Sequence, residues 1–176
     1  MSGQFIIMGK QMNIKVKSNI VSSAEISEDK KYRYNLYRVW DTTKPTCIFI
    51  CLNPSTADAS FDDPTVNRCI RFAQDWEVYG SLCMINLFAF RTSNPTKLIK
   101  EDDPIGPEND KFILQEVKKS GIVIAAWGAF GLFKDRGKFV KNLVNSVCNL
   151  YCLKLNTDGT PSHPLYLRKE SKPILF

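Results

Sequence analysis

Cys47-Ile48-Phe49-Ile50-Cys51-Leu52-Asn53-Pro54-Ser55 opens the stretch CIFICLNPSTADASFDD, residues 47–63, and reads as a buried strand that stops at a polar loop. Six apolar residues in a row suit a central parallel strand covered on both faces rather than one with a solvated side. Pro54 cannot donate to a ladder and drives Asn53 towards extended geometry, so Asn53 projects from the strand's carboxyl end. In open α/β sheets that edge is where ligands bind. The same residues also suit a plain strand-to-loop connection with an Asx-type turn.

Downstream, strands and helices alternate. Asp63-Pro64-Thr65 has the form of an N-cap followed by proline in the first turn, and Val66, Cys69, Ile70, Ala73 and Trp76 follow at helical spacing. Residues 81–90 (SLCMINLFAF) make a second apolar strand with Asn86 inside it, a polar amide that must find a partner or face a ligand. Residues 91–107 form a polar loop with three prolines. A second helix over 108–119, a third strand over 122–127 closed by Gly128, a third helix around 139–147 and a fourth strand over 150–155 complete the series. Beyond it lies the loop 156–167, with Pro161, Pro164 and the chain's only histidine, His163.

Upstream, residues 31–40 (KYRYNLYRVW) alternate as an antiparallel strand at a sheet edge does. Their arginines and tyrosines suit nucleic-acid contact, and equally a charged face that deters edge-to-edge aggregation. Residues 12–27 suggest a weaker edge strand and a turn. The expected fold is a three-layer α/β/α domain over 31–176, with a mostly parallel four-stranded central sheet, preceded over 1–30 by an antiparallel edge element. Met12 offers an alternative start that leaves the first eleven residues dispensable.

A chain of 176 residues has room for one domain with a sizeable core. Its 24 basic and 18 acidic residues leave a net charge of +6, a bias that attracts phosphate backbones. The six cysteines fall mostly in apolar runs with no C-x2-C spacing, and read as reduced core thiols rather than disulfides or metal ligands. No apolar run is long enough to span a bilayer, and the opening lacks a signal-peptide core, so a cytoplasmic protein without a membrane partner is expected. No phosphate-cradling glycine loop of Walker or dinucleotide type is present, which argues against ATP or NAD; no cofactor, metal or obligatory protein partner is expected.

Four polar elements follow the four apolar strands: Asn53-Pro54-Ser55, Asn86, Trp127-Gly128 and Ser162-His163-Pro164. In a parallel sheet all four meet at the carboxyl edge. Together with Leu52, Ala126 and Leu165 they resemble the short motifs of the uracil-DNA glycosylase superfamily. More closely, CLNPSTADASFDDPTVNRC, INLFAFR, DPIGPEND and AAWG resemble a family of small bacterial and phage proteins catalogued as a domain of unknown function. The remote resemblance implies a glycosylase-like fold and a hydrolase that excises uracil or a modified pyrimidine, flipped out of DNA, in repair or in defence against phage DNA. It implies that Asn53 holds the attacking water, Asn86 reads the edge of the base and His163 stabilises the departing base. Pro54, Ser55, Phe88, Trp127, Gly128 and Ser162 then shape the base pocket, and Arg91, Arg136, Arg168 and Lys169 hold phosphates of duplex or single-stranded DNA.

Asp58, Asp62 and Asp63 stand just beyond Asn53. They can activate the water, bind a divalent cation, or cap the helix that begins at Pro64; the cap suits Asp63, and Asp58 is the candidate for catalysis. Two other classes of function fit the same residues: a nucleic-acid-binding module without catalysis, and an enzyme of free nucleosides or nucleotides in which Asp58 and Asp62 matter more than the basic surface.

Overall fold

The computed structural model describes residues 3–7, 10–17, 20–55 and 57–176, with side chains from Ile20 onward. Its centre is the predicted parallel unit. Strands β5 (Thr46–Cys51), β6 (Ser81–Asn86), β7 (Ile122–Ala125) and β8 (Leu150–Cys152) run parallel in the spatial order β6-β5-β7-β8. The apolar run in β5 is two-faced: Cys47, Phe49 and Cys51 enter one core, Ile48 and Ile50 the other, and all five are buried.

Helix α1 (Pro64–Asp75) covers the first core through Val66, Cys69, Phe72 and Ala73. Helices α2 (Pro95–Lys100), α3 (Asn109–Val117) and α4 (Arg136–Asn145) cover the second, through Leu98, Ile113, Val117, Val140 and Val144. This division follows from right-handed crossovers. The step from β5 to β6 runs one way across the sheet and places α1 on one face; the step from β6 back past β5 to β7 runs the other way and places α3 on the opposite face. The chain therefore reverses direction between the carboxyl ends of β5 and β7, the crevice where such sheets bind ligands.

The sheet is larger than four strands. Among the described residues it has nine, with β1 (Gly3–Ile7), β2 (Lys10–Lys17), β3 (Ile20–Ile26) and β4 (Arg33–Val39) added antiparallel beside β6, and β9 (Ile174–Leu175) antiparallel beside β8. β4 is not an edge strand, since it pairs with β3 on one side and β6 on the other. Its buried polar groups are answered internally: Asn35 Nδ2 donates to Glu116 Oε1 at 3.0 Å, the Tyr37 hydroxyl donates to Glu116, and Arg38 pairs with Asp62 at 2.7 Å. Such pairing lets a strand of alternating charge lie inside a sheet.

The loop over 91–107 contains α2, capped by Asn94, whose side chain accepts from Thr96 N at 2.9 Å. Among the described residues no helix is long and apolar enough to cross a membrane.

Candidate functional site

A cavity of about 520 Å³ opens at the carboxyl edge of the parallel strands, on the face covered by α1. Six of the residues expected there line it: Asn53, Ser55, Asn86, Trp127, Gly128 and His163. They come from four separate stretches of chain, and the order of the strands brings them together.

Asn86 is the last residue of β6, two positions beyond Met84 and so on the same face. It is 1% exposed, and its Nδ2 has no hydrogen-bond partner among the described residues. A buried amide left unanswered is uncommon and points to a ligand or an ordered water. The backbone around it is fixed from α3, where Asn109 Nδ2 donates to the carbonyls of Asn86 and Leu87, each at 3.0 Å.

Asn53 is held differently. Its Nδ2 donates to Thr92 O at 2.6 Å and to Pro54 O at 3.0 Å, with Phe90 O at 3.5 Å. Carbonyls only accept, so these contacts settle which end of the amide is nitrogen and leave Oδ1 as an acceptor at the cavity wall.

His163 lies on a loop tied down at several points. Gly128 N donates to Pro161 O at 2.9 Å, Ser162 N to Lys154 O at 2.8 Å, and Arg68 of α1 donates to Leu167 O. Within the loop, Leu165 N donates to His163 Nδ1 at 3.4 Å, which places the ring proton on Nε2. Burial lowers the imidazole's pKa below its ordinary value, and the nearby Asp63 carboxylate opposes that shift. The ring is thus a neutral Nε2–H donor at pH 7.

Gly128 turns the chain after β7 with φ of 71°, a conformation open mainly to glycine, and so brings the Trp127 stretch against the His163 loop. The indole of Trp127 is locked by close packing: a Cβ on Gly131 would come within 2.1 Å of Trp127 Cδ1. Phe130 and Tyr166, 49% and 86% exposed, stand at the mouth.

Other expected site residues are placed elsewhere. Pro54 is buried beside the cavity without lining it, its carbonyl accepting from Asn53 Nδ2 and Thr92 N. Phe88 is fully buried against Phe133 in the opposite core. Ser162 donates to Asn156 Oδ1 at 2.6 Å and braces the loop. Asp58 Oδ1 accepts from Ser60 N at 2.6 Å and Phe61 N at 3.1 Å, a turn cap rather than a cavity group. Arg136 is 3% exposed, donating to Leu87 O and paired with Asp110, so its charge is spent inside the fold. Arg91 donates to Lys30 O at 3.1 Å, while Arg168 and Lys169 are exposed just past the His163 loop. Among the described residues no group of three His, Cys, Asp or Glu side chains is arranged to hold a metal ion.

Two charged residues reach the cavity that the sequence suggested for other work, Asp63 as the cap of α1 and Arg33 among the arginines suited to hold phosphates. Asp63 does cap α1, accepting from Val66 N at 2.9 Å, and also lines the cavity. Arg33 reaches it from β4. No local signal marks Arg33, because its burial depends on strands and loops far away in the chain.

Fold and site define an α/β protein with a cavity at the switch point of the parallel strands, lined by apolar and polar side chains together. The chain belongs to the family described as "Protein of unknown function (DUF1643)", whose model matches residues 33–165 and so takes in every cavity residue named here except Tyr166. No curated protein matches the chain.

Proposed function

We propose that the protein is a hydrolase of the uracil-DNA glycosylase kind, cutting the N-glycosidic bond of uracil or a modified pyrimidine flipped out of DNA. The observation that carries this reading is the buried Asn86 amide, with Nδ2 unanswered, lining the same cavity as the Nε2–H of His163. A pyrimidine edge carries alternating acceptors and donors, which a primary amide matches with one of each. A base leaving its sugar takes the bonding electron pair with it and builds negative charge on its ring oxygens, which a fixed neutral N–H donor stabilises.

In this mechanism the flipped base enters under Phe130 and Tyr166, and Asn86 reads its edge. The bond from C1′ to the ring nitrogen breaks, and its electron pair leaves with the base, whose oxygen accepts from His163 Nε2–H. Asn53 Oδ1 accepts a hydrogen bond from a water that adds to C1′. The proton released by that water neutralises the departing base, so no protein group needs to change charge. Asp58 has no part in it, being committed to its turn, and the exposed Arg168 and Lys169 are the cations that take the strand's phosphates in this reading.

The nucleotide-enzyme reading loses the carboxylates it leaned on, since Asp62 is paired with Arg38 and Asp58 caps a turn. The test is incubation with single-stranded and duplex oligonucleotides, each carrying one uracil or modified pyrimidine, followed by detection of free base and alkali-labile abasic sites. Release of a base from any member of the panel is the expected result. DNA binding without release across the panel makes the protein a non-catalytic reader, and neither binding nor release ends both readings.

A further inference from the structure

Arg33 brings a positive charge to the cavity, and among the described residues no carboxylate is in ion-pair contact with it. The residue is 2% exposed, and its Nη1 donates to Ala57 O at 2.7 Å. Its Nε has no partner among the described residues, and none of their carboxylates forms an ion pair with it. Asp63 is the nearby charge that favours the guanidinium, while Arg91 and Arg38 oppose it. Burial pulls the group down to about 10, so it is still cationic at neutral pH. An unpaired buried cation is strongly unfavourable in an empty fold, and a ligand that supplies the missing anion removes that penalty.

A device in the backbone aims this side chain. Asn35 pairs with Glu25 and Arg33 with Ile26, so the register shifts there and Tyr34 is the extra residue of a bulge in β4. Such a bulge reverses the alternation of side chains. Tyr34 stacks on Phe112 of α3 at 4.7 Å and Asn35 bonds to Glu116 of α3, so both take the α3 face. Arg33 is thereby turned towards the α1 face and the cavity. Without the bulge, Arg33 and Asn35 would share a face.

Two more features of the fold line the same space. Asn86 Nδ2 is unanswered among the described residues, and the first turn of the twelve-residue α1 lines the cavity at Thr65, just past the Asp63 cap. Helix N-termini favour anions. Anchoring through Nη1 leaves the buried Nε without a partner among the described residues, and the Nε edge of a guanidinium is one that engages two oxygens of a planar oxyanion. We propose that the cavity contains an oxyanion subsite built on Arg33, and that its ligand is a pyrimidine bearing a carboxylate or a phosphate. This inference shares with the function proposed above the premise that the cavity holds a pyrimidine, but it requires no bond to be cut.

The test compares matched pairs on the intact protein: orotate against uracil, and uridine 5′-monophosphate against uridine, with inorganic phosphate alone as a third arm. Affinity is measured by calorimetry, and the Arg33 Nε–H is followed by ¹⁵N NMR, assigned by its loss in Arg33→Met. The expected result is that the charged member of at least one pair binds about tenfold or more tightly than its neutral counterpart and moves the Nε–H resonance. Orotate preference locates the oxyanion on the base, and monophosphate preference locates it on the sugar phosphate. Arg33→Met abolishes the preference; if that variant does not fold, Arg33→Lys and the wild-type Nε–H shift decide. Equal affinity within both pairs, a preference that survives in Arg33→Met, or an unmoved Nε–H resonance overturns the subsite, and inorganic phosphate binding as tightly as the monophosphate overturns the pyrimidine as its ligand. Base release from DNA without any anion preference overturns it too and leaves the proposed hydrolase standing, whereas anion preference without base release does the reverse.

Discussion

The carboxamide nitrogen of Asn53 lies 2.6 Å from the carbonyl oxygen of Thr92 and so staples the loop that follows β5 to the loop that follows β6. The same contact points Asn53 Oδ1 away from those carbonyls as an acceptor. One residue therefore shapes the cavity wall and offers it a group for water. Replacing Asn53 by Asp turns the donor into a carboxylate facing carbonyl oxygens, which repel it. The expected outcome is that Asn53→Asp lowers the denaturation midpoint more than Asn53→Ala does. Both lower single-turnover base release by about a hundredfold or more, as losing a placed catalytic group does. A parental rate in Asn53→Ala would end the water-positioning role.

Asn86→Asp tests the reading amide. Only one of the two amide roles survives in a carboxylate, and a mismatched buried polar pair costs roughly 1–3 kcal/mol. The expected change is in the ranking of accepted pyrimidines, measured as relative rates or affinities across a panel. An unchanged ranking at unchanged rate makes Asn86 a residue of the fold alone.

The parallel core and half of the cavity are legible in the sequence because their signals are local. An unbroken apolar run ending in Asn53-Pro54 marks a central strand and its functional end, Asp63-Pro64 marks a helix start, and Asn86 stands out as an amide among apolar neighbours. Asn94-Pro95 carries the same cap-then-proline signal as Asp63-Pro64, so α2 was readable there too. Arg33 and Arg136 are not readable in this way. Both look like surface cations, yet Arg136 donates to Leu87, 49 positions away, and Arg33 donates to Ala57, 24 positions away. The bulge at Tyr34 that turns Arg33 inward arises from pairing with β3 and leaves no local trace. β9 spans two residues and has no pattern to detect.

Stability should hinge on Glu116, which is 3% exposed and takes hydrogen bonds from Asn35 and Tyr37 and an ion pair from Lys119 at 2.9 Å. It joins α3 to β4 across the sheet. Glu116→Ala strands the buried Asn35 amide and the half-buried Tyr37 hydroxyl, and breaking a largely buried charged network of this kind costs about 3 kcal/mol. Chemical denaturation of the variant checks this. A loss well under 1 kcal/mol would mean that water answers Asn35 and Tyr37 in its place.

If the net charge of +6 serves DNA, affinity falls by about 0.9 log units per log unit of salt for each duplex phosphate neutralised. Arg168 and Lys169 are exposed beside the His163 loop, whereas Arg136 is consumed by Asp110 and Leu87. Neutralising Arg168 and Lys169 together is expected to reduce the salt slope, and neutralising the exposed Lys138 of α4 with the exposed Lys118 that follows α3 to leave it alone. Equal effects of the two pairs would move the strand to another face.

His163 admits the sharpest test, because no second histidine confuses its titration. In the folded state its pKa is lowered, chiefly by burial, so between the folded value and the ordinary 6.5 the unfolded chain binds more protons than the folded one. Stability therefore falls as the pH drops below about 6.5 and is independent of this group above it. The melting-temperature difference between wild type and His163→Asn, which keeps a cap acceptor but does not titrate, is expected to change only in that acid range, and the single imidazole Hε1 signal is expected to titrate below 6.5. Above that range the ring stays a neutral Nε2–H donor, so base release should not decline between pH 7 and 9 on its account. His163→Ala removes the donor, and losses of this kind lower rates by roughly a hundred- to a thousandfold. A structural role alone gives the opposite pattern, a lower melting temperature with the rate per folded molecule preserved. Single-turnover release measured beside a melting curve separates the two, and an unaltered rate removes His163 from the chemistry.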